Sequence, residues 1–309
     1  MYQSILVPLD GSPVAEQAIP YAATLARHSG ATLQLITVST PLEETSVEGL
    51  FISAAEIEQE LANRYRTYLS DLAGRLQGVQ VTTDVPHGDA GAILCDRIDN
   101  TANLAVMVTH GRGAFERFML GSTTDEVICQ VKKPVLLVRP GEGPVALDQE
   151  PTLTPALVAL DGTPEAEGIL EHVVELVSLL PQAEVVLVQV VRGVDRLGGL
   201  PDVPVARVEA GNIRQQLEQL QGKLQTDARA YLDGLTAPLL ARGIKARSRV
   251  LVGDQPAQAI LEEAKNLRAG LIAMETHGRT GLSRLVLGSV ADRVIRSSTV
   301  PVLLSRRVN

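Results

Sequence analysis

Thr109-His110-Gly111-Arg112-Gly113, running on to Leu120-Gly121-Ser122, and Thr276-His277-Gly278-Arg279-Thr280, running on to Leu287-Gly288-Ser289, are two copies of one phrase. In each copy nine residues separate the glycine of His-Gly-Arg from the glycine of Gly-Ser. Each copy follows an apolar run that reads as a strand, Leu104–Val108 or Leu271–Met274, and precedes a helical stretch opened by Ser122 or Ser289. A strand, a glycine-containing loop and a helix N-terminus make an anion site, because unpaired N–H groups and the helix dipole point at one place. Glycine there lets a ligand approach the backbone closely.

Working outward, the first copy ends a longer alternation. Ser4–Leu9 is a short apolar run closed by Asp10-Gly11, and Ser12 and Pro13 suit a helix start. Val14 to Ser29 carries apolar residues at helical spacing, and Gly30 stops it. The spacing then predicts a strand over Thr32–Val38, a loop, a long helix over Ala54–Gln77, a strand over Val79–Val85 and a helix over Ala90–Asn100. Leu104–Val108, the helix Ser122–Gln130 and the strand Val135–Arg139 complete five strands. Strands this short and apolar imply an α/β fold: a parallel sheet covered by helices on both faces, a Rossmann-like three-layer arrangement.

The pattern then repeats. Asp161-Gly162-Thr163-Pro164 matches Asp10-Gly11-Ser12-Pro13 at an offset of 151, and the Gly-Ser helix starts match at 167. Self-similarity this long and in order is an internal duplication. It divides the chain into a first domain over 1–140, a Pro- and Gly-bearing linker over 141–154 and a second domain over 155–309. The second half gains about 14 residues between its second and third strands. They fall mostly in Val191–Gly211, read as a mobile flap, and in a longer helix over Asn212–Arg242, which Pro238 should kink.

The 309 residues are 45% apolar and 21% charged, enough for two cores. A net charge of −8 argues against nucleic acid or an anionic membrane as the main partner. No apolar run reaches the roughly 20 residues of a membrane helix. With the first strand starting at Ser4 no secretory leader is expected, and Cys95 and Cys129 read as buried free thiols, which fits a cytoplasmic protein. No Gly-x4-Gly-Lys-Ser/Thr loop, Gly-x-Ser-x-Gly elbow, metal-ligand spacing or catalytic pairing occurs.

In an open parallel sheet the ligand crevice lies beyond the carboxyl ends of the strands, where strand order reverses. Asp10 and Asp161 end the first strands, Val38 and Val190 the second, and the His-Gly-Arg loops the fourth. A nucleotide fits: aspartate to a ribose hydroxyl, the valine backbone to a base edge, the glycine loop and helix start to phosphates. Each feature has a plainer role. Asp-Gly is a turn signal, Ser122 and Ser289 cap helices, and His110 and His277 order their loops.

Together these stretches, with Gly253-Asp254-Gln255-Pro256 and the closing Pro134–Val138 and Pro301–Leu304, resemble a tandem universal stress protein over nearly the whole chain. The resemblance implies five parallel strands per half in the order 3-2-1-4-5, and pairing of two such domains through their last strands as an intramolecular pseudo-dimer, leaving room for a homodimer. It also implies ATP or another adenine nucleotide, with magnesium, at Pro8, Asp10, Val38, Gly111, Arg112, Gly113, Gly121, Ser122 and Thr123. In the second half the matching positions are Asp161, Val190, Gly278, Arg279, Gly288, Ser289 and Val290. Nucleotide-binding members carry Gly-x2-Gly-x9-Gly-Ser/Thr, whose first glycine is here Val108 or Glu275. Valine crowds the loop, and a glutamate beside phosphates adds like-charge repulsion, so the first site is expected to be the tighter one. The reading is a stress-response binding module rather than an enzyme. The alternative is a nucleotide-free interaction scaffold on the same fold.

Overall fold

A computed structural model describes residues 2–41, 54–109, 120–141, 143, 145–193, 206–276 and 287–306, with the backbone alone at 54 and 206–214. The first half runs β1 (Ser4–Pro8), α1 (Ile19–Ser29), β2 (Thr32–Ile36), α2 (Ala54–Arg75), β3 (Val81–Asp84), α3 (Ala90–Thr101), β4 (Leu104–Val108), α4 (Ser122–Gln130) and β5 (Val135–Val138). The second runs β6 (Ala156–Leu160), α5 (Ile169–Val177), β7 (Glu184–Val191), α6 (Ala206–Ala241), β8 (Lys245–Val252), α7 (Pro256–Asn266), β9 (Leu271–Thr276), α8 (Ser289–Ser297) and β10 (Val302–Arg306). A 3-10 turn, Ala15–Ala18 or Ala166–Gly168, precedes α1 and α5.

All ten strands form one sheet in the order β3-β2-β1-β4-β5-β10-β9-β6-β7-β8. Each half is parallel in the 3-2-1-4-5 order, and the halves meet antiparallel at β5 and β10, where Leu136 faces Leu303. Both leucines are fully buried. Joining the last strands removes two open edges that would otherwise invite pairing with other chains. The outermost strands, β3 and β8, carry exposed side chains, so the uniformly apolar strand pattern holds only inside the sheet.

Alternation along each strand sends side chains to two faces. One core holds Ile5, Val7, Leu136 and Leu303 under α1, α2, α5 and α6, with Ile19, Leu69, Ile169 and Leu232 among its members. The other holds Leu6, Leu137 and Leu304 under α3, α4, α7 and α8, with Ile98, Val127, Ile260 and Val294. Both cores run through both halves, so the junction is packed as protein interior. Two arginines brace it reciprocally. Arg139 Nη1 donates to the Arg296 and Ser298 carbonyls, both at 3.0 Å. Arg306, its counterpart at the offset of 167, donates to the Cys129 carbonyl.

The connecting stretch is more than a spacer. Leu147 and Leu153 are buried in the first of these cores, and Gln17 grips the backbone of Gly141 and Gly143. Two further boundaries differ from the sequence reading. β7 continues through Val191 and α6 starts at Ala206 rather than Asn212, which shortens the expected flap at both ends. Its remainder, 194–205, lies outside the described residues. α6 continues past Pro238 to Ala241. No helix among the described residues is long and apolar enough to cross a membrane.

Candidate functional site

Strand order reverses between β1 and β4 and again between β6 and β9, so each half offers one crevice at those strand tips. Pro8 closes β1, half-buried, and the chain turns at Asp10-Gly11. Gly11 and Gly162 have φ of +77° and +87°, a conformation that favours glycine. The turn orients the aspartate. Asp10 Oδ1 accepts from the Ser12 N–H at 2.9 Å and from its hydroxyl at 2.5 Å, and Ser12 Oγ accepts from the Ala15 N–H at 3.2 Å. Asp161 and Thr163 repeat this, at 2.9 and 2.6 Å, with the Ala166 N–H donating to Thr163 Oγ1 at 3.3 Å. The turn role of Asp-Gly is therefore real, and it fixes each carboxylate at the crevice.

Val38 lies two residues past β2. The Ile36 carbonyl accepts from the Leu9 N–H, toward β1, while the Thr37 and Ser39 N–H groups donate to Asp84 and Pro86, toward β3. By alternation the N–H and C=O of Val38 face the β1 side, beyond the end of that strand. Val190 sits within β7 rather than at its end. The Val191 carbonyl accepts from Gly253 on the β8 side, so the Val190 groups face past Leu160, the last residue of β6. Three neighbours escaped the sequence reading. The buried hydroxyls of Thr37 and Ser39, and Gln189 Oε1, meet no hydrogen-bond partner in the described structure. The sequence signal is a polar residue at the tip of an otherwise apolar strand.

At the helix starts the structure corrects the capping assignment. Gly121 and Gly288 are the N-caps, in extended conformation and with no side chain to cap with, and Ser122 and Ser289 are the first helical residues. The Gly121 N–H donates to the Thr109 carbonyl at 3.0 Å. The following N–H groups, of Ser122 and Thr123 and of Ser289 and Val290, belong to the first turn, where the helix supplies no acceptor. Thr124 Oγ1 donates to the Val108 carbonyl at 3.2 Å and pins α4 to the β4 tip. Its counterpart Ala291 leaves α8 without that tie. Gly288 has φ of −58°, and a Cβ there would meet nothing within 4 Å. Neither backbone nor packing of the described residues demands glycine at that cap.

The residues standing for the lost first glycine turn away from these helix starts. Val108 belongs to the core under α1 and α2. Glu275, 9% exposed, follows Leu271 and Ala273 of that same face. Its carboxylate lies over Gly168, where an added Cβ would come within 2.6 Å of Oε2. α8 packs on the opposite face. The repulsion that was expected to weaken the second site therefore loses its geometric basis. Gly111, Arg112, Gly113, Gly278 and Arg279 lie outside the described residues, as do His110 and His277.

The thiols are half-buried rather than fully buried. Burial, helped by Glu126, Asp99 and Asp89, pushes Cys95 up to about 11, and burial raises Cys129 as well. Thiols held protonated in this way are poor nucleophiles. Among the described residues no group of His, Cys, Asp and Glu could hold a metal ion.

With this fold the comparisons agree. The universal stress protein family matches residues 1–139 and again 153–306. A universal stress protein of Mycolicibacterium smegmatis is 29% identical over 307 residues, covering 98% of this chain and 96% of that one. Another, from Mycobacterium tuberculosis, is 26% identical over 98% of this chain and 94% of its own. Among solved structures, a universal stress protein from Archaeoglobus fulgidus superposes with a TM-score of 0.68 at 19% identity, covering 99% of this chain and 97% of that one.

Proposed function

The chain belongs to the universal stress protein family, and from that premise we propose that it is a cytoplasmic stress-response module that binds ATP or a related adenine nucleotide without acting as an enzyme. The division into 1–140, 141–154 and 155–309 is part of the proposal. The Asp10 or Asp161 carboxylate receives a ribose hydroxyl, and the backbone of Val38 or Val190 pairs with a base edge. The first-turn N–H groups of Ser122 and Thr123, or of Ser289 and Val290, receive phosphate oxygens. Pro8 closes the first crevice from below. Gly111, Arg112, Gly113, Gly278 and Arg279 complete the phosphate loops. Magnesium would arrive with the phosphates.

The observation that carries this reading is the cap glycine Gly288. Among the described residues nothing would meet a Cβ at Gly288 within 4 Å, which suits a ligand lying directly on the helix start. Calorimetric titration of ATP into the unmodified chain and into Gly121→Ala and Gly288→Ala tests it. Each variant is expected to lose about tenfold in affinity at its own site, because a methyl group displaces a phosphate oxygen from the N–H cradle. With Glu275 turned away, the charge difference on the two helices is Arg293 on α8 against Glu126 on α4. That favours the second site by about twofold to threefold, the few tenths of a kcal/mol that an exposed charge near a helix start is worth. Absence of binding at ~1 mM ATP, the weak end of specific affinity, would sink the nucleotide reading and leave the interaction scaffold.

A further inference from the structure

The helices whose first turns face the crevices, α4 and α8, pack on the same face of the sheet. Because β5 and β10 run antiparallel, the tip of each last strand lies beside the start of the other. Each start is also where the preceding helix ends, α4 at Gln130 before Val135 and α8 at Ser297 before Val302. The residue leaving the tip of β5 therefore reaches the C-terminus of α8, and the residue at the tip of β10 reaches the C-terminus of α4.

Both positions hold arginine. Arg139 Nη1 donates to the Arg296 and Ser298 carbonyls, both at 3.0 Å, and Arg306 Nη1 donates to the Cys129 carbonyl. The last carbonyls of a helix have no partner within it, and a cation beside them matches the negative pole of its dipole. The last turn of α4 has no basic residue of its own. That of α8 has Arg296, whose Nε turns back to Asp292 Oδ1 at 2.7 Å. In both helices the cation bonded to these carbonyls comes from the opposite half.

The other end of each helix carries the N–H groups assigned to phosphate. A helix of 9 residues spans about 13 Å and moves as one body, so a hold at its C-terminus sets where its first turn stands. α4 has two further ties within its own half. The Gly121 N–H donates to the Thr109 carbonyl at 3.0 Å, and Thr124 Oγ1 donates to the Val108 carbonyl at 3.2 Å. Neither tie has a counterpart at α8 among the described residues, where Ala291 stands for Thr124. α8 therefore depends more on Arg139 than α4 does on Arg306.

We propose that each nucleotide site is positioned by an arginine of the opposite half, Arg139 for the second site and Arg306 for the first. The inference rests on the nucleotide reading above. Neither arginine touches the nucleotide, and each acts through the helix that it holds. A single half of the chain would hold its phosphate helix without this brace.

ATP calorimetry on the full chain reads the sites separately, with Gly121→Ala isolating the second and Gly288→Ala the first. Arg139→Ala should weaken the second site by about tenfold and leave the first within about twofold. Arg306→Ala should weaken the first site by about twofold to threefold and leave the second unchanged, because it removes one bond from a helix with other ties. Ala291→Thr, which copies Thr124, should recover about threefold of the second-site loss in Arg139→Ala. General loosening of the chain would weaken both sites together. A further measurement needs no ligand: amide exchange should quicken over α8 in Arg139→Ala and over α4 in Arg306→Ala. Equal losses at both sites, a loss confined to the arginine's own half, no recovery with Ala291→Thr, or exchange that quickens equally in both helices overturns the proposal. No binding of ATP by the unmodified chain would instead sink the nucleotide reading, and this inference with it.

Discussion

The two halves share a backbone plan and part company at one corner. At the tips of the fourth and fifth strands the first half places Val108 and Val138, with Gln17 beside them gripping Gly141 and Gly143. The second places Glu275 and Ser305, with Gly168 beside them and an open cleft. Strand register is identical at both corners, so the difference lies in side chains alone. A duplicated fold keeps what both copies need, which here is the sheet order, the Asp-Gly turn and the cap glycine. It is free to diverge where only one copy must accommodate the connecting chain. The strand entries show the same logic. Asn103 Oδ1 accepts from the Gln3 and Ser4 N–H groups at 2.9 and 3.0 Å and ties down the start of β1. Its counterpart is Gly270, where a Cβ would lie 2.6 Å from the Thr152 carbonyl oxygen and from the Thr154 nitrogen. The chain arriving at β6 occupies the space that the Asn103 side chain uses in the first half.

The largest effect is expected where the halves are most alike. Leu136→Ala and Leu303→Ala each remove a fully buried side chain at the junction, at a cost of about 3 kcal/mol by denaturant titration. The two losses should agree closely. A difference of more than about 1 kcal/mol, well beyond ordinary scatter for equivalent sites, would mean that the junction is not symmetric in energy. The entries come next. Gly270→Ala forces backbone apart and should cost about 2 to 3 kcal/mol, whereas Asn103→Ala loses side-chain bonds worth about 1 kcal/mol. Equal losses would show that the β6 entry shifts easily.

The reciprocal arginines give a smaller and graded contrast. Arg139→Ala strips a donor from two carbonyls and Arg306→Ala from one. Expected losses are about 2 and about 1 kcal/mol, read as shifts of the urea midpoint. A larger loss at Arg306 would reverse the assignment of which arginine carries more of the junction. The smallest effect is a pH dependence present in one half only. Burial lowers His172 below its ordinary 6.5, with Lys133 adding to the fall and Glu175 and Glu171 opposing it. The unfolded chain therefore binds more protons in the window from 6.5 down to the folded value, and stability declines as pH falls through that window. The first half has Tyr21 at this place, raised by burial and silent in acid. His172→Tyr should flatten the acid slope of thermal stability. A slope left intact would assign it to other groups.

Much of this molecule was legible in the chain. The 3.6-residue and two-residue periodicities gave the order of elements, because amphipathic patterning is local and survives without knowledge of partners. The repeated Asp-Gly and Gly-Ser phrases gave the duplication, and the family resemblance they carry implied the pairing of the last strands. Local chemistry misled at the helix starts, where Ser122 and Ser289 have the residue type of a cap but the backbone puts the preceding glycine there. It misled again at Val191 and Ala206, since glycine and proline content marks a loop without fixing where the flanking strand and helix begin. What sequence determined by itself was therefore which residues alternate, repeat and turn. Tertiary structure alone decided which face each strand tip presents. Glu275 reads in sequence as part of a phosphate loop, yet parity along β9 sets it with Ala273 under α5. That parity depends on register against β10 and β6, a long-range pairing that local spacing does not encode.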